Sequence, residues 1–219
     1  MTTEFQRARS TAAKQQREQA ILDAAAALGA ERGIRQVTLT DIADVVGMHK
    51  SALLRYFETR EQIFLRLTAA AWREWSPVLR AELAALTQAS PAAVADVFAT
   101  TLTDRPMFCD LLAQAPLNLE RNVSLDSIRA FKLVTLEEVT LISSEMRKRM
   151  PNLDEGDTID IVAAATGLAG AFWQMATPGP QIEQLYRSDP QLAHAVVDVQ
   201  PRLARILTAQ LAGLLAGAQ

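Results

Sequence analysis

The sequence predicts an all-α protein, and three observations carry that reading. Alanine and leucine are abundant, with charged residues recurring between them, a composition that favours helices over strands. Alternation of Val, Ile, Thr and Tyr at period two, the signature of a half-buried strand, is scarcely visible. Prolines punctuate the chain at intervals that leave long stretches free for helices. With 219 residues, 49% of them apolar, the chain has ample material for a buried core and room for a small domain fused to a larger one.

Each element follows from local signals. The first helix is expected from about Lys14 to Arg32, with Ile21, Ala25 and Leu28 on one face and Gly33 where a left-handed cap is needed. Two short helices follow, roughly 40–46 and 50–56, separated by Gly47-Met48-His49. A fourth begins near Thr59, whose hydroxyl can cap it, with Glu61 favoured by the helix dipole, and is expected to stop before Pro77. Ser90-Pro91 opens a helix over 91–104, and Pro106 and Pro116 bracket another segment. A long helix from about Leu125 to Met150 ends in Arg147-Lys148-Arg149, a basic turn that complements its C-terminus. The last expected helices are 157–176, a short 181–187 after Pro178-Gly179-Pro180, and 190–217, which Pro201 should kink or split.

Composition also narrows function. The single cysteine, Cys109, excludes an internal disulfide and a thiol-based zinc site, and His49 and His194 are too far apart in sequence to suggest a metal site. There is no Ser-His-Asp set, no glycine-rich phosphate loop and no paired-carboxylate motif, so the pattern calls for neither an enzyme nor a cofactor. The N-terminus lacks the apolar core of a signal peptide. The most apolar stretch, Ile159–Ala176, carries Asp160 and Gln174, so a soluble, cytoplasmic chain without a membrane span is expected. The formal net charge of −3 hides an asymmetry: residues 1–66 carry +2 and residues 67–219 carry −5. A mildly basic front and an acidic rear suit a protein that meets DNA with one end.

The stretch from Thr38 to Phe57 has the parts of a helix-turn-helix. Two short helices that cross steeply need a small residue where they touch, and Ala43 supplies it. The tight turn needs a residue tolerant of positive φ, and Gly47 stands four positions later. Ile42, Val46, Met48 and Leu53 are spaced to bury the angle between the helices, and the second helix opens with His49, Lys50 and Ser51, polar and basic where a recognition helix enters the major groove.

At these residues the sequence resembles the TetR family of bacterial regulators. The resemblance rests on Thr38, Ile42-Ala43, Gly47-Met48-His49, Leu53-Leu54-Arg55-Tyr56-Phe57 and Thr59-Arg60-Glu61, within about residues 15–66. It implies a three-helix DNA-binding domain followed by an all-helical domain for ligand binding and dimerisation, divided here as 1–58 and 59–219. Two positions depart from the family pattern: Leu54 stands where a tyrosine commonly contacts the operator backbone, and His49 where Ser or Thr is usual. Arg60 in place of Lys is a mild change.

Chemistry then assigns roles on double-stranded operator DNA. Lys50 and Ser51 are candidates for base edges, while His49 and Arg55 suit bases or backbone. Thr38, Thr40, Tyr56, Thr59 and Arg60 are expected at phosphates, with helix capping as the competing role of Thr40 and Thr59 and partial burial that of Tyr56. Arg7, Arg9 and Lys14 form either a minor-groove arm or a solvated tail.

One recognition helix grips too little of a groove alone, so a homodimer is expected through the helices 157–176 and 190–217. Ala163, Gly167 and Gly170 allow close approach, and Leu203, Ile206, Leu207 and Leu211 form an apolar stripe, although an internal core would use the same residues. A small, largely apolar effector is expected to release the DNA from a pocket among Trp72, Trp75, Phe108, Cys109, Asn118, Arg129, Phe131 and Trp173. Glu137 and Gln174 are further polar residues within apolar helices, and filling of the core competes with lining of a pocket throughout.

Overall fold

The structure, a computed structural model, describes the backbone of residues 2–217 and the side chains of residues 12–217. The tail residues Arg7 and Arg9 lie outside the described side chains, whereas Lys14 pairs along its own helix with Glu18 at 3.9 Å. The described residues contain no strand and ten α-helices. The front is built from α1 (Thr2–Arg32), α2 (Leu39–Val45) and α3 (Lys50–Leu53). The remainder comprises α4 (Arg60–Ala85), α5 (Pro91–Thr103), α6 (Pro106–Gln114), α7 (Leu125–Arg149), α8 (Glu155–Ala176), α9 (Pro180–Ser188) and α10 (Val199–Gly217). In the rear bundle α10 packs on α5 and α8, α4 on α7, and α6 on α8. One continuous apolar core runs from Ile21 in α1 to Leu211 in α10.

Helix starts follow their side chains. Thr38, Thr59, Ser90, Ser124 and Asp154 each accept a hydrogen bond from the backbone N–H three residues on, which satisfies a donor that the helix cannot. Two expectations need correction. Helix α4 continues through Pro77 rather than stopping before it. Pro77 lies on the exposed face, where the Arg73 carbonyl that loses its donor meets solvent, while Trp72, Trp75, Leu79 and Leu83 keep one buried face in register across it. The expected helix 190–217 is instead a 3₁₀ turn over Pro190–Ala195 followed by α10, and Pro201 falls in the first turn of α10, where it removes no internal hydrogen bond. A π turn at Ala115–Leu119, carrying Pro116, extends α6.

Helix α8 is long and apolar enough, by length and composition, to cross a membrane. In the fold its buried residues Ile161, Val162, Ala165 and Ala169 belong to the core, and it packs against α6, α7 and α10.

Candidate nucleic-acid interface and cleft

The front of the molecule is a compact three-helix unit whose connections are held by side chains. Thr38 and Asp41 form a reciprocal cap at the start of α2. The Thr38 Oγ accepts from the Asp41 amide at 3.2 Å, and the Asp41 carboxylate accepts from the Thr38 amide and hydroxyl, both at 2.7 Å. Arg32 adds an ion pair to Asp41 at 3.0 Å. The Thr38 hydrogen bonds, and then Arg32, hold the Asp41 carboxyl below its ordinary value of 3.8.

The turn between α2 and α3 works as the sequence requires. Gly47 has φ of 63°, a conformation that costs other residues steric strain, and the Met48 amide donates to the Ala43 carbonyl at 2.9 Å. Ile42, Ala43 and Leu53 are fully buried in the angle, with Val46 and Met48 partly buried beside them. The result is an exposed edge. His49, Lys50, Ser51, Leu54 and Arg55 all face solvent at the start of α3 and on the turn behind it. The regular part of α3 is shorter than expected, Lys50–Leu53, because the chain tightens into i→i+3 bonds (Arg55 to Ala52, Tyr56 to Leu53) that turn Tyr56 and Phe57 back to the core.

The residues expected at phosphates divide. Thr40 is exposed in the first turn of α2 and caps nothing, since the cap is Thr38. Thr59 caps α4 through the Gln62 amide at 3.1 Å. Tyr56 is half-buried against the core. Arg60 points inward: its guanidinium donates to the carbonyls of Ile34 and Val37, pairs with Glu61 at 3.1 Å and lies over the Phe64 ring at 4.8 Å. It therefore staples the α1–α2 connection to the start of α4.

Sequence reasoning missed two further ties between front and rear. Asp110 of α6, buried, accepts from the Ile34 amide at 2.9 Å through one carboxylate oxygen and from Gln174 Nε2 of α8 at 2.8 Å through the other. Glu58 accepts from the Ser124 amide at 2.8 Å and from the Ser127 hydroxyl at 2.9 Å, and the Ser124 amide holds its carboxyl below its ordinary 4.5. These carboxylates sit 76 and 66 positions from the amides they meet, so no local pattern announces them.

The expected effector pocket is largely filled. Trp72, Trp75 and Phe108 meet edge-on or tilted, with ring centroids 5.4–5.7 Å apart, and Trp75 donates its indole N–H to Thr101 at 3.0 Å. Cys109 is fully buried, donates to the Leu102 carbonyl, and has its thiol pushed up to about 12 by burial and the neighbouring Asp110. These four residues are core. Arg129 is exposed on α7, Asn118 donates to Gln114 on the π turn, and Trp173 is half-buried on α8. Of the eight, Phe131 lines a cleft of about 710 Å³ walled by α1, α4 and α7.

The candidate dimer residues separate in the same way. Leu203, Leu207 and Leu211 are wholly inside, in the core that joins α10 to α5 and α8, and Ile206 is half-buried. Gly170 also faces inward: a Cβ there would stand 2.7 Å from the Ala113 backbone nitrogen, so the absent side chain lets α8 touch α6. These are internal contacts rather than a surface for a second subunit. Ala163 and Gly167 face out, in a stripe with Ile159, Ala171 and Met175 at every fourth residue of α8.

Comparison with known proteins agrees with this architecture. Residues 21–67 match the family model for bacterial regulatory proteins of the tetR family, and residues 69–218 match the tetracyclin repressor-like C-terminal domain. A 53-residue stretch is 42% identical to the HTH-type transcriptional repressor KstR2 of Rhodococcus jostii, spanning 24% of this chain and 26% of that protein. The fatty acid degradation regulator FadR of Bacillus halodurans has the same fold, with a TM-score of 0.56 at 14% identity over 92% of this chain and 95% of its own. So does RolR, solved in complex with resorcinol, with a TM-score of 0.52 at 17% identity over 91% and 96% of the two chains. Such regulators bind DNA and are not enzymes, and the match over the larger part of the chain settles its kinship: the protein belongs to the TetR family of bacterial transcriptional regulators.

Proposed function

We propose that the protein is a repressor that binds a palindromic operator as a homodimer in the cytoplasm and is released by a small, largely apolar effector. The observation that carries this reading is the exposed edge His49-Lys50-Ser51 with Arg55, held at the rim of a capped and fully packed helix-turn-helix. In this reading Lys50 and Ser51 reach base edges and Arg55 serves bases or backbone; their exposure, with Thr40 and Tyr56 flanking the edge, supports it. The outward α8 stripe of Ile159, Ala163, Gly167, Ala171 and Met175 is a surface on which a second copy can approach closely. RolR, which shares the fold, holds a small ligand, and this supports an effector for the present chain.

Binding to the DNA that flanks the gene, against scrambled DNA at near-physiological salt, tests the reading. A preference of about a thousandfold for a palindromic site, weakened by Lys50→Ala, is expected. Equal affinity for both DNAs, persisting through selection from a random library, refutes it.

A further inference from the structure

The α1/α4/α7 cleft combines an apolar trough with a few charged side chains. Helices α4 and α7 run parallel in fixed register: Gln62 Nε2 donates to Ser127 Oγ at 2.9 Å at one end, and Arg149 Nε donates to the Leu83 carbonyl at 2.9 Å at the other. The sequence offset is 65 at the first tie and 66 at the second, so residues on the two walls can be matched level by level. The cleft follows α4 from Gln62 to Arg73, about 16 Å at the rise of a helix. Its space comes from Ala69, Ala70 and Ala130, and its apolar lining from Leu22 of α1, Leu65 of α4, and Phe131 and Val134 of α7.

Four charged side chains line this cleft. Asp126 sits at the Gln62 end. Arg73 and Glu137 both lie at the far end, within two residues of the same level, without an ion pair between them among the described residues. Arg66 stands between them at the level of Phe131, with no carboxylate opposite it and no ion pair among the described residues. A guanidinium with no carboxylate at its level, beside an apolar trough, suits a ligand with one anionic head and a long apolar body, and a guanidinium fork matches a carboxylate in particular.

We propose that this cleft is a binding site for an elongated amphipathic carboxylate, its head on Arg66 and its chain along Leu65, Ala69, Phe131 and Val134. Because Gln19 and Leu22 of α1 form the third wall, an occupant touches the DNA-binding unit and the rear bundle together. This deepens the effector reading above and rests on it for its regulatory meaning, though not for binding itself.

Titration calorimetry and thermal melting of the full chain with decanoate, against decanol as the uncharged control, test the site. Decanoate is expected to bind saturably and raise Tm. Arg66→Gln, an exposed change, should weaken decanoate about tenfold or more while leaving decanol unchanged. Ala130→Trp, which fills the cleft from its exposed side, should remove both. No saturable decanoate binding, equal binding by Arg66→Gln, or full binding by Ala130→Trp overturns the proposal. Operator affinity of the same ligand-free samples tests the regulator reading separately: a protein that holds its operator but ignores decanoate defeats the cleft assignment alone.

Discussion

The helix-turn-helix and the rear bundle are both helical and both well packed, yet their sequences constrain them differently. In the front unit nearly every residue acts within a few positions of itself: Thr38 on Asp41, Gly47 on the turn, the Ala43 carbonyl on the Met48 amide. In the rear bundle, residues of the same type and spacing have opposite fates. Gly167 and Gly170 lie on one helix three residues apart, the first exposed and the second pressed onto the α6 backbone. The front is specified by local stereochemistry and turns its polar edge outward. The rear is specified by distant neighbours, and its apolar pattern does not distinguish a core from an interface.

Breaking each region should therefore give a different failure. Trp75→Ala empties the centre of the aromatic core and should cost about 3–5 kcal/mol of stability, read by denaturant unfolding with m unchanged. Lys50→Ala should leave Tm nearly unchanged, within about 0.5 kcal/mol of stability, and instead lose about 1–3 kcal/mol of operator preference. If Lys50→Ala unfolds the protein, the two regions are not separable as described.

A finer contrast lies within α8. Gly170→Ala drives a Cβ against backbone and should destabilise by about 1–3 kcal/mol, whereas Gly167→Ala should be neutral or gain up to about 1 kcal/mol from helix propensity. Gly167→Leu, at the outward stripe, should leave the fold intact and shift the monomer–dimer balance measured by sedimentation. The smallest effect concerns pH. Asp41 and Glu58 both titrate below their ordinary values of 3.8 and 4.5 in the folded chain, so the stability they contribute is present above those values and lost as pH falls through their lowered folded values. Melting of Asp41→Asn should show a shallower fall than wild type in that acid range.

The same distinction explains what the sequence made legible. Thr59 as a cap, Gly47 at positive φ and the exposed edge at Lys50 were readable because each depends on neighbours within one turn. Arg60 reads as a phosphate ligand because a cation at a helix start suits an anion, but the carbonyls of Ile34 and Val37 arrive from 26 and 23 positions away and take the guanidinium instead. Trp72, Trp75 and Phe108 could equally line or fill a cavity until their mutual packing was known. The cleft beside α4 depends on the α4–α7 register, which no periodicity within either helix encodes.

The carboxylate of Asp110 gives this organisation an observable handle. One of its oxygens holds the Ile34 amide, just ahead of α2, and the other holds Gln174 near the end of α8. The Ile34 amide is hydrogen-bonded across that joint, so its hydrogen–deuterium exchange reports on local opening there. A single backbone resonance can thereby serve as a gauge of the joint, reading slow while Asp110 holds the Ile34 amide and faster in any variant that loses the contact.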